Sequence, residues 1–157
     1  MLLEKVDLLR VAANSELDPK TKSSLGQFFT PSPICRFMAS LFHDISGSVR
    51  LLDPGCGPGS LTAAFVGEAV ERADVSSIDV HAADLERVVE PYAVQTFEEC
   101  KSLAEAHGIQ LTAELLVDDF ILTSADKAGL FRGMGLEYTH VIMNPPYKKI
   151  GTRSDHR

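Results

Sequence analysis

The sequence predicts an open α/β fold, a parallel sheet with flanking helices, and three observations carry that expectation. Short apolar runs alternate with longer segments of helical periodicity, in the order β-α-β-α-β-α-β after an N-terminal helical stretch. A glycine-rich turn, Pro54-Gly55-Cys56-Gly57-Pro58-Gly59-Ser60, runs from the first apolar run straight into a helix. Two later runs end in carboxylates and a fourth ends in Asn144-Pro145-Pro146-Tyr147, so chemically capable residues gather at strand ends, where open α/β sheets bind ligands.

The elements follow in order. Leu2, Val6, Leu9 and Ala13 recur at helical spacing, giving a first amphipathic helix that ends near Asn14; Ser15 to Ser24 is a polar loop. Gly26-Gln27-Phe28-Phe29-Thr30-Pro31-Ser32-Pro33 precedes a second helix, which Thr30 or Ser32 can cap and which carries Ile34, Phe37, Met38 and Leu41 on one face. Val49–Asp53 is the first strand, and Leu61, Ala64, Phe65 and Ala69 mark the helix after the glycine turn. Ile78–Asp84 is the second strand and Pro91–Ala106 a long helix stopped by His107-Gly108. Leu111, Ala113, Leu115 and Val117 alternate as a third strand ending in Asp118-Asp119-Phe120. Thr123–Phe131 reads as a short helix, and Thr139–Met143 as the fourth strand.

Composition narrows the function classes. A chain of 157 residues, 45% hydrophobic, is long enough for one domain with a real core. No apolar run approaches the roughly 20 residues of a membrane span, and charges interrupt the N-terminal apolar residues, so a cytoplasmic protein without a membrane partner is expected. Three scattered cysteines and five dispersed histidines suggest neither a disulfide framework nor a metal site. A formal net charge of −7 argues against a nonspecific nucleic-acid binder, which needs clustered Lys and Arg, without excluding a nucleic-acid enzyme.

Each strand end offers a distinct chemistry. Glycines at 55, 57 and 59 allow a sharp turn and close approach of a ligand, with helix amides behind them for a carboxylate or phosphate. An acid closing the second strand can accept from both hydroxyls of a ribose; Asp84 is the first choice and Glu86 its rival. An acid beside an aromatic, at Asp118-Asp119-Phe120, can accept from an adenine amino group while the ring packs the base. In Asn144-Pro145-Pro146-Tyr147 the prolines fix the backbone and remove two amide donors, which sets the directions of the Asn amide and the Tyr ring.

Taken together, in this order, these residues resemble the class I S-adenosylmethionine-dependent methyltransferases with a Rossmann-like fold, specifically the adenine-specific DNA amino-methyltransferases of restriction-modification systems. Their gamma arrangement places a Gly-x-Phe-Tyr/Phe-Thr-Pro element ahead of the glycine turn, here Gly26-Gln27-Phe28-Phe29-Thr30-Pro31. The resemblance implies S-adenosylmethionine as cofactor, with Thr30 and the Asp53–Gly59 turn holding its methionine part, Asp84 its ribose, and Asp119 with Phe120 its adenine. It implies duplex DNA as partner, with the target adenine flipped out and stacked on Tyr147 beside Pro146. Asn144 Oδ1 and the Pro145 carbonyl would accept the two amino hydrogens during transfer.

The family fold has seven strands, whereas four can be placed here and the sequence stops ten residues after Tyr147. The expectation is therefore the N-terminal part of such an enzyme, truncated after the fourth strand: residues 1–46 as a helical segment and 47–157 as a partial catalytic domain, needing a target-recognition segment or a complementary subunit. The nearest alternative is a protein-glutamine methyltransferase, whose substrate amide poses the same problem of a weakly nucleophilic nitrogen. A non-catalytic module binding cofactor or a partner is the reading from another class, and a nicotinamide-dependent dehydrogenase comes third because the glycine spacing is wrong for it.

Overall fold

A computed structural model describes residues 1–17, 29–125 and 137–145, the side chains of 124 and 125 excepted. Four parallel strands form one sheet in the order β3-β2-β1-β4, with β1 at Gly47–Pro54, β2 at Val75–Asp84, β3 at Gln110–Val117 and β4 at His140–Val141. The helices are α1 (Leu2–Glu16), α2 (Ser32–Ser40), α3 (Ser60–Ala69), α4 (Glu90–Ala106) and α5 (Phe120–Ala125). This is the parallel α/β architecture expected from the alternation of apolar runs. No helix among the described residues is long and apolar enough to cross a membrane.

Alternation along β1 and β2 sends Val49, Leu51, Ile78, Val80 and Ala82 into one core, completed by Val6 of α1, Cys35 and Ala39 of α2, Phe65 and Val66 of α3, and Phe97 and Cys100 of α4. Removing such side chains from water is worth about 1.5–3 kcal/mol for each large aliphatic or aromatic one. The opposite face is polar across strands: Thr112 Oγ1 donates to Asp79 Oδ1 at 2.5 Å, Asp79 Oδ2 lies 3.3 Å from His81 Nε2, and His81 Nδ1 pairs with the Tyr138 hydroxyl at 2.9 Å. That last contact ties the segment entering β4 to the middle of the sheet.

Several expectations shift. α1 continues to Glu16, past Asn14, and α5 starts at Phe120, not Thr123, because Asp119 Oδ1 accepts the amides of Ile121 and Leu122, both at 3.0 Å. On α2 the buried residues are Cys35 and Ala39; of the expected face Met38 is partly buried against the core, while Ile34, Phe37 and Leu41 are exposed. Both stripes have helical spacing, and the stripe of small residues is the one in the core. Neither Thr30 nor Ser32 caps α2: Pro31 occupies the cap, and Asp7 of α1 reaches across to accept from Ser32 Oγ at 2.9 Å.

The fourth strand is shorter than the expected Thr139–Met143. Its pairing is extended by single bonds on either side, Thr139 N–H to the Arg50 carbonyl and Ile142 N–H to the Leu52 carbonyl, each at 3.0 Å. His140 packs at centroid distances of 5.6 Å from Phe42 and 5.3 Å from Phe65, and its Nε2 meets the Asp44 carbonyl at 3.1 Å. Side chains thus hold β4 where its ladder is brief.

Candidate active site

Parallel pairing places the strand ends along one edge. Pro54 lies opposite Ala83, Asp84 lies opposite Val117, and Val141 lies opposite Leu52, so the residues after β1, β2, β3 and β4 emerge on the same side. Asp53, the glycine turn, Asp84, Asp119, Phe120 and Asn144 therefore share one rim of the sheet. Pro146 and Tyr147 lie outside the described residues, as do Gly26, Gln27 and Phe28.

The glycine turn is stitched to the end of β2. Gly55 and Cys56 donate to the Ala83 carbonyl at 2.7 and 2.9 Å, and Gly57 donates to Asp84 Oδ2 at 2.8 Å. These three turn amides are thus committed to the protein itself. All three glycines have positive φ, at 83°, 53° and 82°. At Gly57 a Cβ would stand 2.8 Å from Phe29 Cδ1, and at Gly59 3.0 Å from Thr96 Cγ2, so these two glycines make room for the chain's own side chains; only Gly55 faces open space. Thr96 also donates to the Pro58 carbonyl at 2.7 Å, which pins the turn to α4.

Asp84 is buried, and its two oxygens accept from Gly57 N–H and, at 2.9 Å, Glu86 N–H. Burial raises its pKa while these amides oppose the rise. A carboxylate has about four lone-pair positions, so each oxygen retains capacity for a hydroxyl donor. The contact with Gly57 sets Asp84, and not Glu86, directly against the glycine turn.

Asp53 is fully buried at the end of β1, with Oδ2 accepting from Thr62 Oγ1 at 2.7 Å and Oδ1 without a partner. Burial pushes its pKa up to about 7 against the Thr62 bonds that lower it. Ser60 Oγ, at the start of α3, is likewise buried and unpartnered. Two buried polar atoms at the glycine turn lack partners, one of them a carboxylate oxygen whose chemistry matches a cationic ammonium, and the chemistry of Asp84 matches a ribose. The residues present therefore suit the amino-acid and sugar parts of S-adenosylmethionine. Thr62 and Ser60 were not legible as site residues, since nothing in a helical Ser-Leu-Thr marks which hydroxyl turns toward a strand.

At the other end of the rim, Asn144 Nδ2 donates to Thr30 Oγ1 at 2.9 Å across 114 residues of sequence. The segment ahead of α2 and the loop after β4 therefore meet. Pro145 is exposed. The three cysteines are buried, and burial pushes the thiols of Cys35 and Cys100 up to about 12, which leaves them poor nucleophiles.

A parallel sheet with a glycine turn after β1, an acid locked to that turn from β2, and Asn-Pro-Pro after β4 defines the class: a Rossmann-like methyltransferase fold, in part. The sequence profile of the N-6 DNA methylase family matches residues 14–155, and the chain belongs to that family. It is 39% identical to the type II methyltransferase M.BsuBI of Bacillus subtilis, over 99% of this chain and 30% of that protein. It is 36% identical to the type II methyltransferase M.PstI of Providencia stuartii, over 97% of this chain and 30% of that protein. The chain thus spans under a third of the length of the curated relatives it matches. The solved structure of YjhP from E. coli is similar over 68% of this chain and 36% of its own, at 14% identity and a TM-score of 0.30, too low to bear on the fold.

Proposed function

We propose that the chain supplies the cofactor cradle and catalytic loop of an enzyme that methylates the N6 amino group of adenine in DNA. The observation that carries this reading is the delivery of Asn144 by β4 to the rim that holds the glycine turn and Asp84. Membership of the N-6 DNA methylase family and similarity to two type II methyltransferases support it. S-adenosylmethionine, when bound, supplies a methyl group on a sulfonium, ready for in-line displacement.

In this reading Asp53 and Ser60 face the methionine ammonium, Asp84 accepts from the ribose, and Asp119 with Phe120 borders the adenine of the cofactor. Asn144 Oδ1 and the Pro145 carbonyl accept the two hydrogens of the target amino group. The nitrogen lone pair, otherwise spread into the ring, localises as the nitrogen becomes tetrahedral, and the two acceptors stabilise its developing positive charge. Pro146 packs beside the flipped base and Tyr147 stacks on it. Residues 1–46 act as a helical segment framing the site, and 47–157 as part of the catalytic domain, with duplex DNA presented by a target-recognition segment or a complementary subunit.

Incubation with tritiated S-adenosylmethionine and either unmethylated DNA or protein extract tests the acceptor. Label on adenine N6 supports the reading; label on glutamine side chains overturns it in favour of a protein methyltransferase. Asn144→Ala should leave cofactor binding nearly intact and cut transfer at least about a hundredfold, and undiminished transfer would remove Asn144 from the chemistry.

A further inference from the structure

An asparagine amide is nearly symmetric in shape, yet only its oxygen can accept an amino hydrogen, so a catalytic Asn needs a neighbour that decides which end faces the substrate. Thr30 sits where it can decide. Its side chain is buried, and its Oγ1 is 2.9 Å from Asn144 Nδ2. Its own position is held at several points: the Cys35 thiol donates to the Thr30 carbonyl at 3.3 Å, Pro31 caps α2 with φ −65°, and Asp7 of α1 grips the next residue through Ser32 Oγ. Asp7 in turn is held by Arg10 Nε at 2.8 Å, a pairing that lowers the Asp7 pKa to about 2 and keeps the carboxylate charged.

We propose that Thr30 is a positioning residue for Asn144: its hydroxyl oxygen accepts from Nδ2 and so turns Oδ1 toward the acceptor amino group. The proposal rests on the catalytic reading of Asn144 given above. It moves the hydroxyl of Thr30 from the cofactor, where the family resemblance put it, to the catalytic loop. A Thr whose backbone carbonyl is held by Cys35 at the start of α2 is suited to this, because it gives Nδ2 a fixed acceptor and so sets which end of the amide carries the oxygen.

Thr30→Val keeps the shape and removes the acceptor; Thr30→Ser restores it. In nitrogen-15 spectra of the folded protein, the Asn144 side-chain NH2 pair should be slowed in solvent exchange by about tenfold or more in wild type and Thr30→Ser relative to Thr30→Val, as expected for one hydrogen bond made and lost. In methyl transfer, Thr30→Val should lower kcat about tenfold or more with recovery in Thr30→Ser, while the dissociation constant of S-adenosylhomocysteine stays within about twofold. An Asn144 NH2 signal unchanged in Thr30→Val, or a loss confined to cofactor affinity, overturns the proposal. If Asn144→Ala transfers methyl groups normally, the catalytic reading itself fails; if Asn144→Ala is inactive and Thr30→Val is wild type, only the positioning role does.

Discussion

Asp53 has no access to solvent and one oxygen without a partner, an arrangement that favours its neutral form in the folded chain. With a folded pKa of about 7 against an ordinary value of about 3.9, the folded state holds more protons than the unfolded one between those pH values. The sign follows: stability falls as pH rises from about 4 to 7 and is level above that. Asp53→Asn should abolish this fall, seen as melting temperatures at pH 5 and pH 7.5 that differ less than in wild type. If Asp53 faces the cofactor ammonium, S-adenosylhomocysteine should bind up to about tenfold more tightly at pH 8 than at pH 6, following the ionised fraction, and Asp53→Asn should bind with no such slope. A second residue-scale contrast lies in the turn. Ala at either Gly55 or Gly57 meets a positive φ worth about 1–2 kcal/mol, but only at Gly57 does the added Cβ also strike Phe29. Denaturant unfolding should therefore show Gly57→Ala as the more destabilised of the two.

Among the elements, β4 decides whether the loop that begins at Asn144 is in place, although the strand itself is only His140–Val141. The ring of His140 packs against both Phe42 and Phe65, which themselves meet edge to face at 5.1 Å, so the three rings form one cluster. Removing that ring in His140→Ala should loosen β4 before the rest of the sheet. The expected readout is faster hydrogen exchange at the Ile142 amide by about tenfold or more, with the β1–β2 amides much less affected. The α2 helix teaches a different lesson about elements. Periodicity identified it as a helix, but two stripes of that period were available, and contact with α3 chose the one of small residues.

At the scale of the whole molecule, ligand binding should show as stability. A ligand at about 100 times its dissociation constant adds about 2.7 kcal/mol, which for a chain of this size is a rise in melting temperature of roughly 5–10 °C. S-adenosylhomocysteine should produce that rise in wild type. Asp84→Ala should reduce it, and an equal rise in both would take the ribose away from Asp84. With 22 acidic and 15 basic residues, the chain offers by itself little of the clustered positive charge that phosphate binding requires.

The order of strands and helices, the glycine turn and the residues at each strand end were legible because period, turn chemistry and strand-end position are local properties of a chain. Asp84 could be picked out as a strand-end acid, and Asn144 as the head of a proline-fixed loop. Only tertiary structure settled the rest. It locked Asp84 to Gly57, left Asp53 and Ser60 unsatisfied beneath the turn, brought Asp7 to the start of α2, and joined Thr30 to Asn144. The three contacts among these join residues far apart or on separate elements. Sequence spacing carries no information about which hydroxyl or amide will meet which carboxylate once the helices pack on the sheet.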